Sequence, residues 1–125
     1  MIRGIGIDVV QVSRMRAWVG RPELLQRFFH PSEVKSVMNR GDASVLSLSA
    51  RFAAKEAFGK ALGTGLRSLS LRDVYVSNDR LGKPTLHVEG SAREALERIG
   101  GSRVFISLTH EQDNAIAMIV IEGDD

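Results

Sequence analysis

The residues best suited to chemistry lie in two short segments, one at the start of the chain and one in its middle. Asp8 ends an apolar run, where a carboxylate is costly unless it is paired or binds a cation. Glu56 lies between Lys55 and Lys60 in an alanine-rich segment. If Asp8 packs beside Glu56, their charges repel unless a divalent cation bridges them, while the lysines could neutralise a phosphate. These residue types predict a site for a phosphate group and a metal ion.

Each of these residues also has an ordinary structural interpretation. Asp8 could cap the turn that follows it, or accept hydrogen bonds from backbone amides. Glu56 and Lys60 are four residues apart, so they could form a stabilising pair on the surface of a helix. The choice depends on whether Asp8 and Glu56 are neighbours in space.

Residues 51–65 are predicted to form the helix that carries Glu56 and Lys60, because alanine and leucine dominate the segment and two of its three glycines lie at its end. At about 100° per residue, one broad arc is apolar and predicted to be buried. It holds Ala53, Ala54, Ala57, Phe58, Ala61 and Leu62. The opposite arc holds Phe52, Lys55, Glu56, Gly59, Lys60 and Gly63. Its glycines could leave a strip of bare backbone that a ligand can approach.

Residues 2–10 are predicted to form a buried strand that presents Asp8. Strand alternation places Ile5, Ile7 and Val9 on one face, and Gly4, Gly6, Asp8 and Val10 on the other. The two glycines beside Asp8 indicate close approach by another backbone or by a ligand.

The rest of the chain is predicted to combine short helices with two hairpins, over residues 74–88 and 104–121. The expected helices and caps are a helix over 14–19 capped by Ser13, one over 31–40 begun by Pro31, the central helix capped by Asp42 or Ser44, and one that ends at Ile99 and begins with a capping box of Ser91 and Glu94. Together these elements predict one domain over residues 1–125. Its class is α+β, with a small, mainly antiparallel sheet and a long central helix.

Composition is that of an ordinary globular protein. The chain has 125 residues, a formal net charge of +2 and no cysteine, which excludes disulfides and thiolate metal sites. It contains no apolar run of the roughly 18 residues that cross a bilayer, and no signal-peptide pattern. We therefore expect a cytoplasmic protein without a membrane partner. The small net charge gives no indication of nucleic acid binding.

Three further regions hold candidate binding residues. Arg14, Arg16, Arg21 and Arg27 are interspersed with Met15, Trp18 and Val19, so this region could dock an acidic partner or form a solvated face with Trp18 in the core. Residues 82–84, Gly-Lys-Pro, could hold a phosphate or form a common turn. His110 ends an apolar strand face, where it could donate to a phosphate or be structural.

Four segments in the right order resemble the 4′-phosphopantetheinyl transferases. Residues 4–8 (Gly-Ile-Gly-Ile-Asp) and 51–63 (Arg-Phe-Ala-Ala-Lys-Glu-Ala-Phe-Gly-Lys-Ala-Leu-Gly) resemble the paired signature of that family. The short chain and the form of the second segment are similar to the holo-[acyl-carrier-protein] synthase branch. Residues 82–84 and 107–111 also match, so the resemblance covers nearly the whole chain.

The resemblance implies transfer of the 4′-phosphopantetheine group from coenzyme A to a serine of an apo acyl carrier protein, in support of fatty acid or polyketide biosynthesis. Adenosine 3′,5′-bisphosphate would be released. Asp8 and Glu56 would bind Mg²⁺, with Lys60 as the third catalytic residue and a contact to phosphate. Either Glu56 or a water on the metal would take the serine proton.

The resemblance also implies how the substrates bind. Coenzyme A would contact a set of residues from several segments: Arg51, Lys60, Gly63, Gly82, Lys83, Pro84 and His110. Arg14 and Arg21 would dock the acidic carrier protein. The short branch implies a homotrimer with active sites between subunits.

Two other functions are compatible with parts of the sequence. A metal-dependent nuclease or phosphohydrolase could use Asp8, Glu56 and Lys60 on a phosphodiester, although further acidic ligands for a second metal are lacking. A non-enzymatic module could bind nucleic acid through the arginines of residues 14–27. That function calls for strong positive charge and exposed stacking aromatics, which the chain lacks.

Overall fold

A helix of twenty residues lies at the centre of the computed structural model, which describes residues 1–38, 40–41, 43–67 and 69–124. The elements in chain order are β1 (Ile2–Gln11), α1 (Val12–Arg16), a 3₁₀ turn (Ala17–Gly20), α2 (Pro22–Phe28), α3 (Pro31–Val37), α4 (Ala43–Leu62), a second 3₁₀ turn (Leu71–Asp73), β2 (Val74–Asn78), β3 (Pro84–Val88), α5 (Gly90–Arg98), β4 (Arg103–Glu111) and β5 (Asn114–Glu122). The predicted α+β class is confirmed.

The strands form two small antiparallel sheets, where a single one was predicted, and each sheet contains one of the two predicted hairpins. One sheet has the order β1-β5-β4, and the other consists of β2 and β3. In the larger sheet, Met118 of β5 lies opposite Ile7 of β1 and Ser107 of β4. Strand β3 lies alongside β4, so the two hairpins are neighbours.

Helix α4 lies directly on the backbone of β1. A Cβ atom at Gly4 would lie 1.9 Å from the carbonyl oxygen of Ala61, and one at Gly6 would lie 2.0 Å from that of Ala57. Glycine is therefore required at both positions. The close approach predicted for this face of β1 is made by a helix backbone and not by a ligand.

The apolar arc predicted for the central helix is buried in full. Its alanines pack against β1 and against the inward side chains of β5, including Ile119 and Ile121, which are 0% exposed. The outward face of the same sheet is different. Ile5, Ile7 and Val9 are each more than half exposed, so the prediction that β1 is a buried strand is wrong for one of its faces in the single chain.

Several predicted helix starts differ from the structure. Helix α1 begins at Val12 after Gln11, and the segment predicted to be one helix divides into α1 and a 3₁₀ turn, so Ser13 is not the cap. Ser91 donates to Asp73 Oδ2 at 2.7 Å instead of forming a capping box. Ser44 donates to the carbonyl oxygen of Val37 from inside α4.

Helix α3 ends at Val37, three residues before the predicted end. The other proposed cap of α4, Asp42, lies outside the described residues. No helix in the described part of the chain is long and apolar enough to cross a bilayer.

Candidate functional site

Asp8 and Lys60 form an ion pair where β1 passes under α4. Lys60 Nζ lies 2.8 Å from Asp8 Oδ1 and donates to the carbonyl oxygen of Ile7 at 3.1 Å. The Asp8 side chain is 15% exposed, whereas that of Lys60 is 54% exposed. The hydrogen bond from Lys60 to Asp8 raises the pKa of Lys60. The carboxylate is thus largely shielded from solvent, whereas the ammonium group that pairs with it is exposed at the surface.

Glu56 belongs to the same group of charges. Partial burial raises the pKa of Glu56, and the negative charge of Asp8 raises it further. Arg14 and Lys60 oppose the shift with their positive charges. The two carboxylates that the sequence singled out are therefore close enough to repel each other. This geometry favours a shared site over two unrelated surface residues.

The donor set of this group suits a hard divalent cation. Glu56 lies one helical turn before Lys60, which pairs with Asp8, and the charge of Asp8 raises the pKa of Glu56, so a cation shared by the two carboxylates would relieve their repulsion. In the described part of the chain, no cluster of three or more histidine, cysteine, aspartate or glutamate side chains could hold a metal. Mg²⁺ commonly uses one or two carboxylates and takes its other ligands from water and substrate phosphates, so the pair fits Mg²⁺ better than Ca²⁺ or Zn²⁺.

Lys55 is not at this site, contrary to the prediction that it faces a phosphate. Its side chain is 0% exposed, and its Nζ atom lies 2.7 Å from Oε1 of Glu33, which is also 0% exposed. Burial lowers the pKa of Lys55, and Glu33 opposes that effect. A helical wheel places Lys55 on the polar arc of α4. In the structure, α3 and the start of β2 pack over this part of the arc and bury Lys55.

The predicted strip of bare backbone is only partly open. A Cβ atom at Gly59 would lie 2.6 Å from the carbonyl carbon of Gly65, because the chain folds back after α4 and Gly65 N donates to Gly59 O at 2.9 Å. Gly63 is open and has φ +85°, a left-handed conformation that ends the helix. It lies on the wall of a cavity of about 790 Å³ whose lining also includes Leu66, Arg67 and Arg98.

Arg51 lies on the buried side of α4. It is 3% exposed and donates through Nη1 to Ser47 Oγ, while its Nε and Nη2 atoms have no hydrogen-bond partner in the structure as described. Arg40 Nη1 also donates to Ser47 Oγ, at 3.4 Å. Burial lowers the pKa of Arg51, Glu33 opposes the shift, and Arg40 adds to it. Two guanidinium groups thus converge on one hydroxyl, an arrangement that suits an anion.

The loop that contains Gly82, Lys83 and Pro84 joins β2 to β3 and is held by one carboxylate. Asp79 Oδ1 accepts hydrogen bonds from Leu81 N at 2.8 Å and from Lys83 N at 2.9 Å. Gly82 has φ +87°, which explains the glycine. Lys83 is exposed, so its ammonium group is available to a ligand. The role of Asp79 was not predicted, although an aspartate before a glycine-containing turn commonly accepts hydrogen bonds from the backbone amides of that turn.

His110 is exposed near the end of β4. Among the described residues, no hydrogen bond or ion pair links His110 or the β2–β3 loop to Asp8, Glu56 or Lys60. The carboxylate group and these proposed nucleotide contacts are therefore separate features of a single chain.

The arginines of residues 14–27 surround a cluster of aromatic rings. Trp18 packs with Phe28, Phe29 and Phe52 at centroid distances of 5.2, 6.4 and 5.3 Å. The guanidinium carbon of Arg14 lies 5.6 Å from the centroid of Phe52, and that of Arg27 lies 5.1 Å from the centroid of Phe28. A guanidinium stacked on a ring keeps the donors at its edge free for a carboxylate.

Arg21, by contrast, already has an acidic partner. Its Nε atom lies 2.9 Å from Glu23 Oε1, and both side chains are more than half exposed. Its charge is therefore partly offset, whereas Arg14 faces outward beside Glu56. The two arginines that the resemblance paired are not equivalent.

Comparisons with known proteins agree with the resemblance. The sequence pattern of the 4′-phosphopantetheinyl transferase superfamily matches residues 4–118. The holo-[acyl-carrier-protein] synthase of Treponema denticola is 50% identical over 123 residues, which are 98% of this chain and 100% of that protein.

Solved structures give the same result for the fold. The holo-[acyl-carrier-protein] synthase of Neisseria meningitidis has a TM-score of 0.86 at 38% identity, covering 98% of this chain and 99% of that one. The Bacillus anthracis enzyme, solved in complex with CoA (3′,5′-ADP), has a TM-score of 0.82 at 31% identity over 99% of both chains. The chain belongs to the 4′-phosphopantetheinyl transferase superfamily, as the sequence predicted.

Proposed function

We propose that this protein transfers the 4′-phosphopantetheine group of coenzyme A to a serine of an apo acyl carrier protein. The observation that carries the proposal is the Asp8–Glu56–Lys60 group, in a chain whose relatives are holo-[acyl-carrier-protein] synthases. The serine oxygen forms a bond to the β-phosphorus of coenzyme A. The pyrophosphate bond breaks, adenosine 3′,5′-bisphosphate leaves with the electron pair, and the serine loses its proton. Catalysis is then mainly positioning and neutralisation of charge.

Asp8 and Glu56 are the residues that would hold Mg²⁺. Bound there, the ion would supply positive charge to the pyrophosphate as negative charge develops on the leaving group. Lys60 pairs with Asp8 in the chain alone, and its largely exposed ammonium group can move to a phosphate oxygen when another cation neutralises Asp8. Gly63 leaves open backbone one turn after Lys60, where the substrate can approach the helix end.

We assign the nucleotide end of coenzyme A to three other parts of the chain, which are the β2–β3 loop, His110 and Arg51. The β2–β3 loop offers Gly82, Lys83 and Pro84 in a turn that Asp79 holds in shape before any ligand binds. His110 ends the neighbouring strand β4 and can donate to a phosphate.

Arg51 is the third assignment, as a contact to the 3′-phosphate. Its Nε and Nη2 donors lack partners among the described residues, and Arg40 converges on the same hydroxyl of Ser47. Because Arg51 is almost fully buried, a direct contact requires its side chain to move outward.

The carrier protein is assigned to the arginine face over α1 and α2. Arg14 is the main contact, since it is oriented by Phe52 and lies beside Glu56, where the acceptor serine must arrive. Arg21 contributes less because Glu23 competes for it. The stacked Arg27 extends the same basic surface.

We propose a homotrimer that assembles through the outward face of the larger sheet. Ile5, Ile7 and Val9 lie beside exposed Met118 and Phe105 across three paired strands. A continuous apolar surface of this kind on a small protein is typical of an interface. A neighbouring subunit could then bring its nucleotide contacts to the carboxylate group, which explains why one chain does not join them. We place the enzyme in the cytoplasm, since it has no cysteine and works on a cytoplasmic cofactor.

Intact-mass spectrometry of an apo acyl carrier protein tests the reaction. Incubation with this protein, coenzyme A and Mg²⁺ should add the mass of one phosphopantetheine group to the carrier. The gain should disappear with EDTA and with the Asp8→Asn variant, provided that the variant remains folded by circular dichroism. No gain with several carrier proteins would refute the proposal. Release of a phosphate product without any carrier would indicate a metal-dependent phosphohydrolase instead.

A further inference from the structure

Lys55 makes three contacts with groups that are far from it in sequence. Its Nζ atom contacts Glu33 Oε1 at 2.7 Å and donates to the carbonyl oxygens of Leu71, at 3.0 Å, and Val74. All of these contacts are buried or nearly so, and the Lys55 side chain is 0% exposed. The ammonium group thus uses all three of its donors inside the protein.

Glu33 is equally well satisfied. Its Oε1 atom accepts from the backbone amide of His30 at 3.0 Å, and its Oε2 atom accepts from that of Val76 at 3.0 Å. The first bond closes the capping box of α3, and the second reaches the core strand of the β2–β3 hairpin. The ion pair therefore links α4 to α3 and to β2 at one position along α4, that of Lys55.

Helix α4 contacts β1 through small residues, while Phe52 and Phe58 on the same helix pack in the apolar core. Where the helix crosses β1, it presents Ala57 and Ala61 to Gly4 and Gly6, with backbone against backbone. Small residues permit close approach, but they form neither the ridges nor the grooves that fix the orientation of one element on another. Lys60 adds directional contacts to Asp8 and to the carbonyl oxygen of Ile7 at the surface, and the Lys55–Glu33 pair adds directional contacts that are buried.

Stability alone does not account for the ion pair. Buried pairs are commonly no more stabilising than apolar residues of similar size, because removing two charges from water costs about as much as their attraction returns. A pair with exact partners can instead specify one arrangement among several packed alternatives. The residue next to Lys55 in the chain is Glu56, which must face Asp8 for the two carboxylates to share a cation.

We propose that Lys55 and Glu33 are positioning residues for the transferase site, which fix the rotation of α4 so that Glu56 faces Asp8. This inference rests on the proposed function. Neither residue contacts the substrate, and both act through Glu56. Loss of the pair would let α4 settle in a slightly different rotation on its alanine–glycine contact, and the carboxylate pair would bind its cation less well.

A stability-matched comparison tests the proposal. The test variant is the double substitution Glu33→Gln with Lys55→Met, which removes both charges, so that no buried charge is left unpaired. Glutamine keeps one acceptor oxygen, which can serve the amide of His30 or that of Val76, and the stability cost of the other amide is matched by the control. The control is Leu96→Ala, a 1% exposed position in α5, or Leu96→Val if that matches the thermal midpoint of the double variant better. The single variant Lys55→Met, with an unpaired Glu33, should be the least stable of the set.

Two readouts separate positioning from stability. The first is the dissociation constant of Mn²⁺ in the presence of coenzyme A, followed by electron paramagnetic resonance. The second is kcat for transfer to an apo acyl carrier protein at saturating substrates. The double variant should bind Mn²⁺ about tenfold more weakly and turn over about tenfold more slowly, as expected when residues that orient metal ligands are lost. The Leu96 control should match the wild type in both readouts.

The outcomes are distinct. Wild-type Mn²⁺ affinity and turnover in the folded double variant would overturn the proposal, and so would equal losses in the Leu96 control. If the wild-type protein transfers nothing to any carrier protein, the proposed function fails. The Mn²⁺ affinities of the same three proteins then still decide whether the ion pair positions the carboxylates.

Discussion

The contact between α4 and β1 can be tested with one methyl group. In Gly6→Ala, the new Cβ atom would lie 2.0 Å from the carbonyl oxygen of Ala57 and 2.7 Å from the amide nitrogen of Ala61. An ordinary contact begins at 3.4 Å, so the two backbones must separate by about 1.4 Å at this point. Overpacking typically costs 1–3 kcal/mol, and we expect about 3 kcal/mol because the obstructing atoms belong to a helix backbone that cannot rotate away. That loss corresponds to a fall of roughly 10 °C in Tm.

The same displacement should damage the site. Gly6 is two residues from Asp8, and Ala57 follows Glu56, so separation of β1 from α4 moves the two carboxylates apart. A misplacement of about 1 Å can reduce turnover by about a hundredfold, which is the reduction that we expect in kcat at saturating substrates.

Urea unfolding followed by circular dichroism measures the stability change, and Gly20→Ala provides the control. No atom lies within 4 Å of a Cβ at Gly20, and its φ is not positive, so alanine there should leave stability unchanged or raise it by about 0.4–1 kcal/mol. If Gly6→Ala unfolds within about 0.5 kcal/mol of the wild type, the helix is not in contact with the β1 backbone and the reasoning is wrong.

Four further variants test the site, the docking face and the assembly. Glu56→Gln should abolish most activity yet be more stable than the metal-free wild type at neutral pH, because the folded state raises the pKa of Glu56 and so penalises its ionised form. In urea titrations over a pH series, this advantage should shrink as pH falls through the raised pKa and vanish below the ordinary value of 4.5, because the carboxyl is then protonated in both folded and unfolded states. An advantage independent of pH would contradict that cause. Arg14→Ala should raise KM for the carrier protein about tenfold with little change in KM for coenzyme A, and Arg21→Ala should have a smaller effect because of Glu23; steady-state kinetics with both substrates measure this, and an effect confined to coenzyme A would exclude docking there. Ile7→Asp should lower the mass measured by light scattering to that of one chain, and an unchanged trimer would exclude the outward sheet face as the interface.

The features that the sequence predicted well depend on local pattern. Alternation of side chains located β1 and placed Asp8 on the face of Gly4 and Gly6, and the alanine arc identified the buried side of α4. Each of these inferences needs only the period of a strand or a helix. The residue pattern left open whether Asp8 and Glu56 are neighbours, and the family resemblance implied that they act together.

The errors share a different cause, which is contact between elements distant in sequence. Lys55 looked like a surface cation because α4 was treated as having one buried face, yet α3 and β2 cover its second side and supply Glu33. Ser91 donates a hydrogen bond to Asp73, 18 residues away in the sequence, instead of capping its own helix. The outward face of β1 looked like core because nothing in a single chain's pattern distinguishes a core from an interface.

Adjacent residues on α4 show how the fold distinguishes structure from function. Lys55 and Glu33 form a pair in which the ammonium donors and both carboxylate oxygens have partners, and water is excluded. Asp8, Glu56 and Lys60 form a group of two negative charges and one positive charge with Arg14 beside it, and the Lys60 side chain is more than half exposed. The first group is complete within the chain, so it can hold α4 in place. In the second, Asp8 raises the pKa of Glu56 although Arg14 and Lys60 oppose the shift, so a bound cation would stabilise the group, and a cation that arrived with coenzyme A would bring the reacting phosphate with it.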